Sequence, residues 1–208
     1  MGQYYLIINL SEKVFIKPNG IKMTEHCFLN NTTMESISAL LTNEWKGRKF
    51  IWSGDYSDDE REDKKWLTDK QIELMDDYQV ETYGKHSSIT PYTLCKAKDL
   101  RYPDILSEVM FEQYFPSETC FNYIGKYLIN YDKKEYVSFC DLREDNIGFV
   151  VHPLAILCDI SNGRGAGDFY SDRFEADEII GSWAGNSVGI ESRKPNGFVR
   201  LDASFFVD

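Results

Sequence analysis

The sequence lacks the features that would assign it to several broad classes of protein. Its 208 residues contain no apolar run near the roughly 18–20 residues that span a membrane. The N-terminal Met-Gly-Gln-Tyr-Tyr has neither the basic region nor the cleavage site of a secretion signal. Positive charge is also scarce, since 23 Lys and Arg stand against 34 Asp and Glu, a net charge of −11. We therefore expect a cytoplasmic protein that binds neither nucleic acid nor membranes.

Cysteine and histidine are too few and too scattered to form a motif. The five cysteines are odd in number and include no C-x-x-C pair, so we expect reduced thiols rather than a disulfide framework. The three histidines show no spacing typical of metal ligands. Asp55, Asp58 and Asp59 lie close together but do not complete a calcium-binding loop. The sequence thus predicts no metal and no cofactor.

The sequence does contain many short strand signals. Hydrophobic residues make up 42% of the chain, which is enough for a packed core. Two strand pairs joined by polar turns are predicted, Tyr5 to Ile8 with Val14 to Ile16, and Phe121 to Ile129 with Glu135 to Phe139. Further strands are expected at Phe50 to Trp52, Ile179 to Ala184, Ser187 to Glu191 and Phe198 to Phe206.

Helical spacing of apolar residues predicts about three helices. They run from Thr33 to Trp45, from Tyr102 to Phe111 and from Pro153 to Leu157. Thr32 and Glu35 have the spacing of a capping box at the start of the first helix. Strand and helix do not alternate regularly, which disfavours a doubly wound α/β fold. We expect a single α+β domain over residues 1–208, with a mainly antiparallel sheet.

The two predicted hairpins resemble each other. Asn9 to Ile16 matches Asn130 to Val137, and the preceding Tyr-Leu-Ile runs also match once Ile8 is skipped. The run from Trp52 to Asp55 is similar to the run from Trp183 to Asn186. One interpretation is an old duplication with two similarly built halves, a pseudo-repeat of residues 1–60 and 121–190. The other is chance likeness between ordinary hairpins, and the sequence leaves both open.

The glycine-rich segment, residues 162–168, carries three glycines in five positions. Backbone N–H groups in such a loop can surround an anion, and Arg164 adds further donors. The segment is expected to follow a helix, which is the wrong order for a dinucleotide-binding motif, and a helix C-cap at Gly163 is the alternative. The predicted site for a small anionic ligand such as a nucleotide is Asn162, Gly163, Arg164, Gly165, Gly167, Asp168 and Trp183.

The acidic segment, residues 55–77, holds ten Asp or Glu against four Lys or Arg, a net charge of −6. Such a block is usually solvated, so we expect residues 57–77 at the surface with Trp66 and Ile72 packed inward. An acidic surface attracts a protein partner with a basic surface. The residues predicted to bind that partner are Asp55, Asp58, Asp59, Glu60, Glu62 and Asp63.

Several runs along the chain resemble a family of uncharacterised bacterial or phage-like proteins. The runs that carry the resemblance are Met1 to Tyr5, Gly20 to His26, Trp52 to Tyr56, Lys133 to Val137, His152 to Leu154, Asn162 to Phe169 and Trp183 to Ala184. The chain departs from the family pattern at Ala166, where the family has Gly. The resemblance implies a bacterial or phage-like origin and brings no known activity.

Two functions from different classes therefore remain open. The first is a non-catalytic binding protein that engages a macromolecular partner through its acidic face, such as a phage- or defence-related inhibitor. The second is an enzyme or sensor for a small anionic ligand that binds at the glycine-rich segment. The sequence contains no complete catalytic motif, which favours the first, but it does not decide whether the protein is an enzyme.

Overall fold

The structure is a computed structural model and describes residues 4–20, 22–55, 91–96, 111–145, 148–160, 169–171, 179–202 and 205–207. This part of the chain forms an α+β fold around one large sheet, as the sequence predicts. Its helices are α1 (Met23–His26), α2 (Thr32–Thr42), α3 (Pro91–Lys96) and α4 (Pro153–Leu157). None of these helices combines the length and the apolar composition that crossing a lipid bilayer requires.

The large sheet is mixed rather than mainly antiparallel. Its strands are β1 (Tyr5–Asn9), β2 (Val14–Ile16), β3 (Arg48–Gly54), β4 (Glu112–Gln113), β5 (Tyr127–Asn130), β6 (Glu135–Ser138), β7 (Asp159–Ile160), β9 (Ser187–Glu191) and β10 (Val199–Arg200). They lie in the order β10-β6-β5-β9-β3-β1-β2-β4, with β7 beside β3. Three pairs are parallel: β4 with β2, β10 with β6, and β7 with β3. A separate antiparallel pair consists of β8 (Phe169–Ser171) and β11 (Phe205–Val207).

Two of the predicted helices are present in the described part of the chain. α2 begins at Thr32, and the Asn31 side chain accepts a hydrogen bond from the Thr33 N–H at 2.9 Å. Asn31 therefore caps this helix instead of the predicted Thr32. α4 begins at Pro153, where the missing N–H costs nothing because the first turn leaves that donor unused, and His152 caps it.

Of the strands predicted near the C-terminus, the one from Ile179 to Ala184 is wrong and the one from Phe198 to Phe206 is divided. Residues 180–184 form turns, because the Trp183 N–H donates to the last carbonyl of α4 at 2.7 Å and holds the chain beside that helix. The strand predicted from Phe198 to Phe206 divides into β10 and β11 in different sheets. Val199 lies in β10, an edge strand of the large sheet, and is 69% exposed. The helix predicted from Tyr102 lies outside the described residues, except for its last residue.

The large sheet consists of two similarly built halves. Half A contains β2, β1 and β3 with β4 at its edge, and half B contains β6, β5 and β9 with β10 at its edge. The strands of the two halves pair in the same register, and in both halves the edge strand is parallel to its neighbour. The corresponding pairs are Asn9–Val14 with Asn130–Glu135, and Val14–Glu112 with Glu135–Val199.

The two hairpin turns also agree in detail. In each, an asparagine side chain accepts hydrogen bonds at 3.0–3.1 Å from the N–H groups two and three residues later. These asparagines are Asn9 and Asn130. In each turn the lysine four residues further on has a positive φ, 54° at Lys13 and 56° at Lys134. Because asparagine side chains mimic a backbone turn, this contact explains why both hairpins begin with the same residue.

β3 and β9 join the two halves at the centre of the sheet. Lys49 pairs with Ser187, and these residues occupy the same place in their own halves. On either side of this pair, the N–H groups of Gly47 and Gly185 donate across the junction at 2.7 Å. Both glycines have a positive φ, 76° and 71°. The halves are thus related by an approximate twofold axis through the Lys49–Ser187 pair.

This register changes which tryptophans correspond. Trp45 precedes Gly47 by two residues, and Trp183 precedes Gly185 by two. Trp183 therefore corresponds to Trp45, whereas the sequence comparison matched it with Trp52, which lies inside β3. The hairpins correspond without a skipped residue.

The core has two parts, one on each face of the sheet. The front face packs against α2 and α4 and holds the larger apolar cluster, which spans both halves. The back face of half A holds a smaller cluster, to which α3 contributes Leu94 and Cys95. Alternation along the strands assigns Leu6 and Ile51 to the back face and Ile7 and Trp52 to the front face.

Candidate functional site

Most residues of the two predicted sites lie outside the described part of the chain. Of the predicted ligand site only Trp183 is described, and of the predicted partner-binding set only Asp55. The others are Asn162, Gly163, Arg164, Gly165, Gly167 and Asp168 in the first set, and Asp58, Asp59, Glu60, Glu62 and Asp63 in the second. Trp66 and Ile72 also lie outside it. These assignments remain predictions.

The structure does show where both segments begin. β7 runs parallel to β3, with Asp159 beside Trp52 and Ile160 beside Ser53. The acidic segment continues from the end of β3, and the glycine-rich segment follows the end of β7. Both start at the carboxyl ends of neighbouring parallel strands, where ligands bind in many parallel sheets. A short strand, rather than the expected helix, comes directly before the glycine-rich segment.

Both segments interrupt the likeness between the two halves. Residues 55–111 connect β3 to β4 in half A, whereas residues 192–198 connect β9 to β10 in half B. Residues 158–182 separate α4 from its tryptophan in half B, whereas residues 43–44 separate α2 from its tryptophan in half A. The two halves therefore differ most in length where the predicted functional segments lie.

Asp55 attaches the end of β3 to the start of the chain. Its N–H donates to the Tyr4 carbonyl at 2.9 Å, and its Oδ1 accepts a hydrogen bond from the Tyr4 N–H at 3.0 Å. The residue is half-buried. One carboxylate oxygen thus fixes local structure, which leaves Oδ2 as the oxygen that would meet a partner.

Trp52 and Trp183 are both fully buried in the front-face core. The Trp52 Nε1–H donates to His26 Nε2 at 3.3 Å, and the Trp183 Nε1–H donates to Glu135 Oε2 at 2.7 Å. A buried indole normally finds such a hydrogen-bond acceptor. Both rings are therefore part of the core, and each has its one polar atom hydrogen-bonded.

A hydrogen-bonded group centred on Ser38 connects α2 with α4. His152 Nδ1 accepts from the Leu154 N–H at 3.2 Å, which assigns the ring proton to Nε2, and Nε2–H donates to Ser38 Oγ at 3.0 Å. The Ser38 hydroxyl donates to the Met34 carbonyl at 2.7 Å, and the Tyr123 hydroxyl donates to Ser38 Oγ at 3.1 Å. Ser38 Oγ thus donates once and accepts twice.

This arrangement does not suit a serine nucleophile. A general base must accept the serine proton, whereas His152 donates to Ser38, and both residues are fully buried. Burial lowers the pKa of His152 to about 3, so its imidazole stays neutral at pH 7. The pair therefore serves to hold the two helices together.

His26, the last residue of α1, is held in a comparable way. Its Nδ1–H donates to the Lys22 carbonyl at 2.6 Å, and its Nε2 accepts from the Trp52 indole. Burial lowers the pKa of His26 to about 4, although the Lys22 carbonyl and the charge of Glu25 act in the opposite direction. His26 is therefore neutral as well, with both ring nitrogens in use.

The two histidines flank a second junction between the halves. Phe28 and Val151 form an isolated antiparallel bridge. The His152 N–H donates to the Cys27 carbonyl at 2.7 Å, and the Leu29 N–H donates to the Val150 carbonyl at 3.0 Å. His26 lies two residues before Phe28, and His152 directly follows Val151.

A polar cluster lies on the back face of half B. Lys46 Nζ is 2.7 Å from Glu191 Oε1, and the Tyr131 hydroxyl donates to the same oxygen at 2.9 Å. Burial alone would raise the pKa of Glu191, but the hydrogen bonds from Lys46 and Tyr131 outweigh it and lower that pKa. A Cβ at Gly189 would collide with the Tyr131 ring, so glycine makes room for this cluster.

The sequence analysis predicts neither the hydrogen-bonded group centred on Ser38 nor the polar cluster around Glu191. Their members are far apart along the chain, and none belongs to a recognised motif. The repeat was the one available signal, because it pairs each position of half A with a position of half B. The places in half A that correspond to Lys46, Tyr131 and Glu191 are occupied by Ala184, Leu10 and Ser53.

Metal and disulfide chemistry find little support in the described residues. No three His, Cys, Asp or Glu side chains there are grouped closely enough to hold a metal ion. All five cysteines are described, and none forms a disulfide; Cys120 and Cys140 are exposed, whereas Cys27, Cys95 and Cys158 are buried.

Comparison with protein-family models, with curated proteins and with solved structures returns no match. The family resemblance noted in the sequence remains a prediction. Function is therefore inferred from the residues and their geometry.

Proposed function

We propose that the protein is a non-catalytic binding protein whose acidic segment engages a macromolecular partner with a basic surface. The distribution of charge carries this proposal. The described residues contain 15 of the 34 Asp and Glu and 14 of the 23 Lys and Arg, so they are close to neutral. Nearly all of the net charge of −11 therefore belongs to the other residues, and a net −6 is concentrated in the acidic segment.

A neutral scaffold with a concentrated acidic segment suits a steering role. Charges of one sign in one place attract an oppositely charged partner and raise its association rate, whereas evenly spread charge mainly affects solubility. The acidic segment lies within residues 55–111, a connection far longer than residues 192–198, which join the corresponding strands of half B. Its position supports a function separate from the folding of the repeated sheet.

The neutral, buried state of the described histidines also supports a binding role. His26 and His152 have both ring nitrogens engaged, and Ser38 donates its proton to a backbone carbonyl. None of these three groups is placed to transfer a proton to or from a bound substrate.

Affinity purification from the native host, followed by binding measurements with the purified partner, tests the proposal. The test variant is Asp58→Asn, Asp59→Asn, Glu60→Gln. The matched control is Glu112→Gln, Glu118→Gln, Glu144→Gln, which removes the same charge from exposed scaffold positions. Each change should alter the free energy of unfolding by no more than about 0.5 kcal/mol, as at ordinary surface sites.

We expect the test variant to lose most of the affinity for the partner and the control to keep it. Equal affinity of the two variants would overturn the proposal. A loss of several kcal/mol of stability in the test variant would instead indicate a buried network or a metal site in the acidic segment.

A second candidate function is an enzyme or sensor for a small anionic ligand at the glycine-rich segment, with Asn162, Arg164 and Asp168 as its polar contacts. The observation that favours it is the start of this segment at the carboxyl end of β7, beside the parallel strand β3. Nucleotides and sugar phosphates would be screened by thermal shift on the wild type, on Arg164→Ala and on the exposed control Arg193→Ala. A ligand at 100 times its Kd stabilises by about 2.7 kcal/mol. The candidate fails if no ligand shifts the wild type, or if Arg164→Ala responds like the control.

A further inference from the structure

The back face of half A ends in a group of polar and aromatic residues. Alternation along β3 assigns Ser53 and Asp55 to the back face, together with Ile51, and Tyr4 lies opposite Asp55 at the start of β1. α3 packs on the same face and brings Tyr92 against the smaller apolar cluster. A carboxylate, a hydroxyl and two phenol rings thus meet at one end of the sheet.

Asp55 gives this group a negative charge that no cation among the described residues pairs with. Burial, followed by the charge of Asp55, raises the pKa of Tyr92 to about 12, so the phenol lies within the field of the carboxylate and remains protonated. Tyr4 is 41% exposed, so the group is open to solvent on one side.

Ser53 adds an unused acceptor. Its side chain is fully buried, and its Oγ has no hydrogen-bond partner among the described residues. A buried hydroxyl without a partner is costly unless a ligand supplies one. This observation is independent of the charge on Asp55.

The other half of the sheet shows how a comparable place is filled. In half B the residue that corresponds to Ser53 is Glu191, and it is bound by Lys46 and Tyr131. In half A the residue that corresponds to Lys46 is Ala184. Half B therefore pairs its carboxylate with a lysine, whereas half A has Ala184 in place of that lysine and carries its carboxylate two residues beyond Ser53, at Asp55.

We propose that a partner's arginine side chain docks here, with its guanidinium against the Asp55 carboxylate and the rings of Tyr4 and Tyr92. This inference rests on the proposed function, since it assigns the first contact of the basic partner. A planar guanidinium stacks on aromatic rings and donates to a carboxylate, which a lysine ammonium does less well. Its further N–H groups supply donors for Ser53 Oγ.

Arginine amide and citrulline amide are the probes, because they have the same shape and differ in charge. NMR spectra of the full chain should show saturable shifts at Tyr4 and Tyr92 with arginine amide and none with citrulline amide. Asp55→Asn keeps an oxygen for the Tyr4 N–H, so the end of the sheet is retained while the charge is lost. We expect this variant to bind arginine amide at least about tenfold more weakly, whereas Glu112→Gln has no effect.

Equal shifts with the two probes, or equal binding by Asp55→Asn and the wild type, would overturn this inference. The purified partner separates it from the proposed function. If Asp55→Asn keeps full affinity while the variant at Asp58, Asp59 and Glu60 loses it, the arginine site is wrong and the proposed function stands. If only Asp55→Asn loses affinity, the arginine site stands and the acidic segment is not the main contact.

Discussion

At the scale of single residues, both ring nitrogens of His26 and of His152 form hydrogen bonds within the core. Each imidazole accepts one N–H and donates one proton: His26 accepts from Trp52, and His152 accepts from the Leu154 N–H. Protonation would place a second N–H against a donor. The arrangement is therefore stable only with neutral imidazoles, in agreement with the lowered pKa values of about 4 and about 3.

Because both pKa values are below the ordinary 6.5, the unfolded chain binds protons between pH 6.5 and pH 4 that the folded chain does not. The stability that the neutral imidazoles contribute is therefore complete above pH 6.5, and the free energy of unfolding falls as the pH drops below it. We expect a loss of about 1.4 kcal/mol per pH unit for each imidazole. Urea unfolding between pH 6.5 and 5 measures this slope.

His152→Asn keeps an oxygen that can cap α4 but removes one titrating group, so the slope should fall by one imidazole's share. Tyr123→Phe is the matched control, because it removes a hydroxyl from the same group and leaves both imidazoles. The assignment of neutral histidines is wrong if all three proteins have the same slope.

At the scale of elements, the two hairpins have the same turn geometry but different neighbouring residues. Asn130 Nδ2 donates to Asn186 Oδ1 at 2.9 Å. Asn9 Nδ2 has no partner among the described residues, because Arg48 stands where half B has Asn186 and pairs with Glu12 at 2.7 Å. The same turn is therefore better supported in half B.

We expect Asn130→Ala to lower the free energy of unfolding by about 1 kcal/mol more than Asn9→Ala, since only the first removes the contact with Asn186. Equilibrium unfolding of the two variants measures the difference. In an Asn186→Ala background the two substitutions should cost the same, and a persistent difference would mean that the turns themselves differ.

The sequence predicts those elements whose form is decided locally. β1, β2 and β6 follow from alternation and turn residues, and α2 and α4 from apolar spacing and caps. It fails where a distant contact decides the structure. Residues 180–184 form turns because the Trp183 N–H bonds to α4, and β10 and β11 belong to different sheets. The match of Trp183 with Trp45 depends on the β3–β9 register, which no local pattern contains.

The candidate sites also combine residues that the local sequence predicts with residues that only the fold brings together. The charge of its segment predicts Asp55 as a binding residue, but Ser53 and Tyr92 join it only through β-strand alternation and the packing of α3. Local composition identifies charged and glycine-rich segments. It does not identify a site assembled from opposite ends of the chain.

At the scale of the whole molecule, the sheet has two similar halves, and the acidic and glycine-rich segments have no counterparts in the other half. The described residues are close to neutral, and the sheet halves share one register. The acidic and glycine-rich segments begin side by side at β3 and β7. The molecule is therefore best described as a sheet of two similar halves, with the acidic and glycine-rich segments beginning at the same end of it.

The thiols provide a test of the expected compartment. We expect all five cysteines to be reduced, so a thiol count under denaturing, non-reducing conditions should return five. A count of three or one would show disulfide bonds and contradict the expectation of a reducing environment.

The association rate constant of the purified partner tests the central claim most directly. If the acidic segment steers a basic partner, the rate constant should fall steeply with added salt, and the variant at Asp58, Asp59 and Glu60 should associate about tenfold more slowly at low salt. The matched scaffold variant at Glu112, Glu118 and Glu144 should associate at the wild-type rate. A rate constant that is independent of salt, or equal in the two variants, would contradict the account.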